Sequence, residues 1–195
     1  VLNNMKIWLM TSAILMVAPF AAQAGENVVE GNKTFKGNAE LGATITTGNT
    51  DTTSVKGRLN MKHKFGHWEN QYLLDVLYKE DTGEVTGKRY YGLVQANYQF
   101  NDISYLFLNA NHEIDPFTGF DFTSTVSSGY GHKFIDTGIT LFNVEVGPGY
   151  KYKQLDDESA LETGYDIEKS WVAHGVANFE TEISASSKFK QMFIA

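Results

Sequence analysis

The residues with the most chemistry in them stand at every second position. Between Val55 and Phe65, the polar series Lys56, Arg58, Asn60, Lys62 and Lys64 alternates with Val55, Gly57, Leu59, Met61 and Phe65. Side chains on a strand point to opposite faces with a period of two, so this spacing puts four cations on one face and apolar groups on the other. A dry core could not hold those cations unpaired; a wet interior could, and so could acids from neighbouring strands. Glu40, Glu69, Asp75, Glu145 and Glu168 have the parity to meet them, and Arg89 adds another cation. The expected chemistry is a charge ladder in a lumen, built from Glu40, Lys56, Arg58, Lys62, Lys64, Glu69, Asp75, Arg89 and Glu145. In a narrow barrel such a ladder fills the interior, and in a wider one it lines a selective pore; at this size the filled form is favoured.

Other reactive residues are scattered. Asp156, Asp157 and Glu158 open an acidic stretch, which also holds Glu162, of a kind that hard divalent cations favour, with Asp81, Glu84 and Asp115 in other loops; the plainer reading is solvated acids. His63, His67, His112, His132 and His174 stand singly at spacings that make no metal site, and each reads as a satisfied or interfacial histidine. The chain has no cysteine, which excludes disulfide staples and thiolate ligands. Gly83 to Lys88 imitates a phosphate loop, but it is one residue short and Arg89 replaces the required hydroxyl. Ser104, His112 and Asp115 are the residue types of a hydrolase, yet strand parity does not bring them together. The expectation is a protein with no catalytic residues and no cofactor.

The elements that must position these groups are short two-faced strands, expected at 36–47, 52–65, 68–79, 88–100, 103–114, 120–134, 138–153 and 165–182, with a ninth beginning near 188. The apolar face carries aromatics and the other face carries ions. Both faces of 103–114 carry apolar residues, so its sides stay unassigned. Residues 81–87 and 154–164 read as the longer polar loops, and Pro148 suggests a bulge near a loop end. Tyr72 and Tyr78, Tyr90 and Tyr98 with Phe100, and Tyr150 and Tyr152 read as aromatics near strand ends, like interfacial girdles. The expected fold is all-β, an antiparallel transmembrane β-barrel of the bacterial outer membrane with at least eight strands. A soluble sandwich or lipocalin-like barrel is the alternative.

The N-terminus supplies the route. Met5-Lys6, an apolar run from Ile7 to Ala18 and the triplet Ala22-Gln23-Ala24 form a secretory signal with cleavage expected after Ala24. The expected organisation is a signal peptide with upstream residues at 1–24, a short periplasmic lead-in at 25–34 and a barrel at 35–195. A net charge of −7 and a pI near 5.2 argue against nucleic acid as a partner. The partners expected instead are outer-membrane lipid, lipopolysaccharide and the barrel-assembly machinery.

Several segments carry a family likeness: Phe35-Lys36-Gly37-Asn38-Ala39-Glu40-Leu41-Gly42, Thr46-Thr47-Gly48-Asn49-Thr50-Asp51-Thr52, Asp115-Pro116-Phe117-Thr118-Gly119-Phe120-Asp121, Ser128-Gly129-Tyr130-Gly131-His132-Lys133-Phe134 and Gly147-Pro148-Gly149-Tyr150. In these the chain resembles the salt-induced outer membrane protein family, often called YdiY-like. The resemblance implies an outer-membrane β-barrel linked to salt or osmotic response, and it brings no catalytic residues. There are two departures: an arginine expected shortly after Asp121 is absent, and members run on for several more strands. Eight strands and a fragment sit badly with the even counts of closed barrels, so a C-terminal truncation is also expected. The functional expectation is therefore a non-enzymatic envelope barrel, structural or a small-solute channel. An outer-membrane lipid- or lipopolysaccharide-modifying enzyme and a soluble periplasmic ligand-binding barrel are the alternatives.

Overall fold

The computed structural model describes residues 28–30, 33–47, 51–184 and 187–194. The expected signal peptide and the Gly48–Thr50 part of the first turn lie outside them. The described chain is one antiparallel sheet in which each strand pairs with the next: β1 (Val28–Glu30), β2 (Lys33–Thr46), β3 (Thr52–Phe65), β4 (Trp68–Asp81), β5 (Glu84–Gln99), β6 (Ser104–Asp115), β7 (Phe120–Asp136), β8 (Thr140–Leu155), β9 (Ile167–Ser184) and β10 (Ser187–Ile194). One short helix, α1 (Asp157–Thr163), joins β8 to β9. Within the expected lead-in, Val28–Glu30 already pairs with the start of β2. Among the described residues no helix is long and apolar enough to cross a membrane.

The sheet curls into a half-barrel, and its burial is the reverse of a soluble domain's. Tyr105, Phe107 and Leu155 are the buried apolar residues among those described, while Leu41, Leu74, Val94, Leu108, Val126, Val146 and Trp171 stand exposed on the convex face. The polar parity series lies on the concave face. Curling is visible in bonds that jump strands: Gln95 of β5 reaches Glu145 of β8 at 3.0 Å, and Tyr105 of β6 reaches the same carboxylate at 2.8 Å.

Close backbone approach makes this curvature. Gly129 of β7 and Gly147 of β8 face each other so tightly that a Cβ on either would overlap the other strand's backbone. Their β7–β8 ladder is interrupted there, between Ser127↔Gly149 and Tyr130↔Val146, with no change of register. Pro148 lies in this gap and pairs with Ala173 on its other side. The expected bulge near a loop end is thus corrected: Pro148 sits mid-strand, where its missing N–H falls in a ladder gap.

Four other expectations change. Residues 81–87 are not a long loop, because β4 and β5 run out to a two-residue turn at Thr82 and Gly83, whose φ values of 52° and 83° suit a tight hairpin. Residues 154–164 hold α1, capped by Asp156 at one end and by left-handed Gly164 at the other. Phe120 does not share the face of Phe122: a register shift separates them, Phe120 pairs with buried Leu155, and the Lys153 ammonium lies 4.3 Å from its ring centre. Tyr72 is mid-sheet, opposite Met61 and Val94, rather than near an end.

The convex aromatics form a chain across the sheet at the end away from α1. Trp68 meets Tyr98 at 5.1 Å, and ring contacts run from Phe100 through Tyr130, His132, Phe134, Phe142 and Phe179 to Phe189. At the helix end, His112, Phe122 and Tyr152 make a second set beside Tyr150 and Trp171. Tyr90 and Tyr98 are eight residues apart on β5, roughly 26 Å along an extended strand.

Candidate functional site

The concave face has three zones. Nearest α1 is the charge ladder. Arg58 of β3 binds Asp75 of β4 at 2.7 Å, and Arg89 of β5 approaches the other Asp75 oxygen at 3.4 Å and pairs with Glu113 of β6. Lys153 and Glu168 pair at 3.7 Å on β8 and β9. Of the ladder residues expected from sequence, the structure joins Arg58, Asp75 and Arg89 here and Lys64 with Glu69 near the far end, at 2.9 Å. Glu40 faces Arg58 in the register, but it accepts from Asn38 rather than joining an ion pair. Among the described residues Lys56 and Lys62 make no ion pair. Glu113 was missed because the two apolar-looking faces of β6 concealed its parity.

The middle zone is a buried hub around Glu145, which is 5% exposed. Its carboxylate accepts from Tyr105 and Gln95 and lies 3.6 Å from His174 Nε2. Asn143 donates to the Tyr105 hydroxyl oxygen and Asn109 to Gln95. His174 lies tilted against Phe107 at 4.7 Å and meets Ser127 through Nδ1 at 3.2 Å. The expected ladder partner of Glu145 was a cation; the observed donors are a phenol and an amide, with the His174 imidazole nearby but its Nε2 without a hydrogen-bond partner. A buried carboxylate needs such donors. The overlooked sequence signal is Gly131, directly opposite Tyr105, where a Cβ would collide with the phenol ring.

Tyr105→Phe is expected to remove the hub's shortest bond to carboxylate and to leave Asn143 without its acceptor. The cost should be about 1–3 kcal/mol, as for a buried polar group losing its partner. Urea unfolding of the detergent-solubilised protein measures it, and an unchanged midpoint would remove the hub from any account of stability.

The third zone, at the far end, is a cavity of roughly 670 Å³ open to solvent and bounded by β2 and β3 on one side and by β9 and β10 on the other. A smaller space of roughly 340 Å³ continues from it toward the hub, and both touch Lys62, Glu69, Lys133 and Leu141.

The hydrolase candidates stay apart. Ser104 bonds to His132 and Tyr130, His112 bonds to Ser124, and Asp115 turns the β6–β7 loop by accepting from the Phe117 N–H. His63 contacts Phe35 and Phe65, and His67 contacts Tyr98, so both belong to the far aromatic chain.

The acidic trio stands at the start of α1. Asp156 accepts from the Ser159 N–H at 2.8 Å as the helix cap, and Asp157 and Glu158 occupy the first turn of α1. Among the described residues no histidine or acid cluster is placed to hold a metal ion. The bonds from Ser159, backbone first and then side chain, hold the Asp156 carboxyl below its ordinary value. A depressed folded value means the cap stabilises α1 above the ordinary carboxylate range and loses that contribution as pH falls through the folded value. Protease nicking in 156–164 is expected to rise below about pH 4, and Asp156→Ala should show the acid-state nicking already at neutral pH.

Residues 39–195 match the family described as "Protein of unknown function, DUF481". The chain is 25% identical over 134 residues to the "Uncharacterized protein YdiY" of Escherichia coli (strain K12), an alignment that takes in 66% of this chain and 51% of that protein. The chain therefore spans about half the length of the curated relative it matches. No solved structure matches the chain.

Proposed function

The chain belongs to the DUF481 family, and from that premise and the sidedness of its sheet we propose a non-enzymatic β-barrel protein of the bacterial outer membrane. In this reading the precursor is exported by a cleavable signal peptide and inserted by the barrel-assembly machinery. Acyl chains and lipopolysaccharide cover the convex face. The concave face is the water-bearing interior, narrowed by the Arg58–Asp75–Arg89–Glu113 ladder and open at the far end, so that small solutes enter there during the envelope's response to salt or osmotic change.

The observation that carries the reading is the inverted burial. A soluble protein rarely exposes an apolar patch beyond a few hundred Å², yet here the apolar face of every strand from β2 to β9 is bare while the ion pairs and the amide network lie on the inside. Aromatic rings at both strand ends fit the two interfacial girdles of such barrels. The non-enzymatic part is supported by the separation of Ser104, His112 and Asp115, and by the burial of Ser127, 3% exposed behind His174. A nucleophile must be reached by its substrate.

Fractionation tests the reading. The product should sediment with outer membranes and migrate faster unheated than heated in detergent gels. Recovery from a soluble periplasmic extract would support the ligand-binder alternative instead. Lipid mass spectra altered by deleting the protein would point to the enzyme.

A further inference from the structure

We propose that the far-end cavity is an oxyanion site, centred on Lys36 and Lys62 and suited to a phosphate-type dianion. Six lysines line it: Lys36, Lys62, Lys64, Lys133, Lys188 and Lys190. The four acids on its wall are each engaged by one of these lysines. Glu69 is held by Lys64 at 2.9 Å, Asp136 by Lys133 at 3.4 Å, Glu182 by Lys188 at 2.6 Å and Glu180 by Lys190 at 3.0 Å. The balance of six lysines and four acids leaves a local charge of +2 in a chain whose net charge is −7. The surplus belongs to Lys36 and Lys62, which make no ion pair among the described residues.

Those two lysines are direct partners in the β2–β3 register. Like charges directly opposite on one face of a sheet repel, and no acid among the described residues pairs with either lysine to offset the repulsion. An anion with two negative charges between them offsets it. The next pair on the same face is Asn38 opposite Asn60, and both line the cavity. The Asn60 side-chain oxygen is buried without a hydrogen-bond partner, so this amide has capacity that a protonated oxyanion can fill. Two ammoniums thus stand beside two amides, one of which, Asn60, offers a free acceptor for the anion's own hydroxyl, while Asn38 also donates to Glu40. Lysine ammoniums bind phosphate as point charges, and amides supply the directional bonds that a halide cannot use as fully. A divalent metal ion is the wrong sign, since the acids are already spoken for. The volume exceeds that of a lone phosphate, leaving room for a small phosphorylated solute.

The site goes beyond the envelope-barrel reading and stands or falls separately from it. The test is calorimetric titration of inorganic phosphate into the refolded chain in detergent, at constant ionic strength, with chloride as the comparison. Saturable binding of phosphate and none of chloride is expected. The double variant K36Q/K62Q should weaken it at least tenfold, K36R/K62R should keep it, and K56Q, on the same face of β3 but off the cavity wall, should leave it unchanged. Heat-modifiable migration of each variant checks folding. Equal binding by folded K36Q/K62Q and wild type overturns the site, as does a phosphate response no different from chloride's. Bilayer recording separates the two claims: phosphate binding without conductance leaves the site and removes the channel, whereas conductance without phosphate binding does the reverse.

Discussion

Val94→Arg is expected to prevent membrane assembly, whereas Lys56→Gln leaves it intact. Val94 lies half-exposed in the middle of β5's convex face, four residues from Tyr90 and four from Tyr98. If the rings mark the two interfaces, Val94 sits near the bilayer midplane, where an arginine on the lipid face costs about 2–4 kcal/mol. Adding Leu74→Arg on the neighbouring strand roughly doubles that, to a large part of the 5–15 kcal/mol that holds a typical domain together. Lys56, on the other face, has no ion pair among the described residues to lose. The measurement is the fraction of heat-modifiable protein recovered in outer membranes. Normal assembly of the double arginine variant, with failure of Lys56→Gln, would mean that the convex face meets water and that the envelope reading is inverted.

The sidedness behind that prediction is legible in β3, β4, β5 and β8, because most of their charged residues and amides keep to one parity, even though Leu73, Tyr91 and Leu93 share that inner face. It is not legible in β6. There Tyr105 and Phe107 point inward with Asn109, while Leu106 and Leu108 point outward, so both parities read as apolar. The inward aromatics are the buried floor of the Glu145 hub, a role that depends on strands far away in sequence. α1 and the Thr82–Gly83 turn are missed for a different, local reason: stretches rich in acids and glycine read as loop. Charged residues on both faces of Asp81 and Glu84 read as loop, although the backbone ladder continues through them. Phe120 was misplaced because one bulge reverses every later parity in the partner's frame.

The candidate sites follow the same division. Arg58, Asp75, Arg89, Lys64 and Glu69 are found by alternation, since neighbouring strands with matched parity must bring them side by side. The hub cannot be found this way. Gln95 and Glu145 lie on β5 and β8 with two strands between them, and only curvature joins them. Curvature is written in glycines rather than in polar residues, and an isolated glycine in a strand reads as weakness, a bulge or close approach without saying which.

That ambiguity yields the second large effect, a pair of identical substitutions with opposite outcomes. At Gly92 of β5 an added Cβ meets open space, and φ there is not positive. Gly92→Ala should therefore stabilise the strand by about 0.5–1 kcal/mol, the conformational entropy that glycine forfeits. At Gly147 the added Cβ would overlap the Ser128 carbonyl oxygen and the Gly129 Cα. Neither backbone can yield by a rotamer change, so β7 and β8 must separate around Pro148, where their ladder is already interrupted. Separation there moves Glu145 and Asn143 away from Tyr105, so the loss exceeds the roughly 1–3 kcal/mol of ordinary overpacking. Gly147→Ala should leave little heat-modifiable protein, while Gly92→Ala shifts the urea midpoint upward. If Gly147→Ala folds with an unchanged midpoint, the tight β7–β8 crossing is not what curls the sheet, and the hub must be assembled by some other constraint.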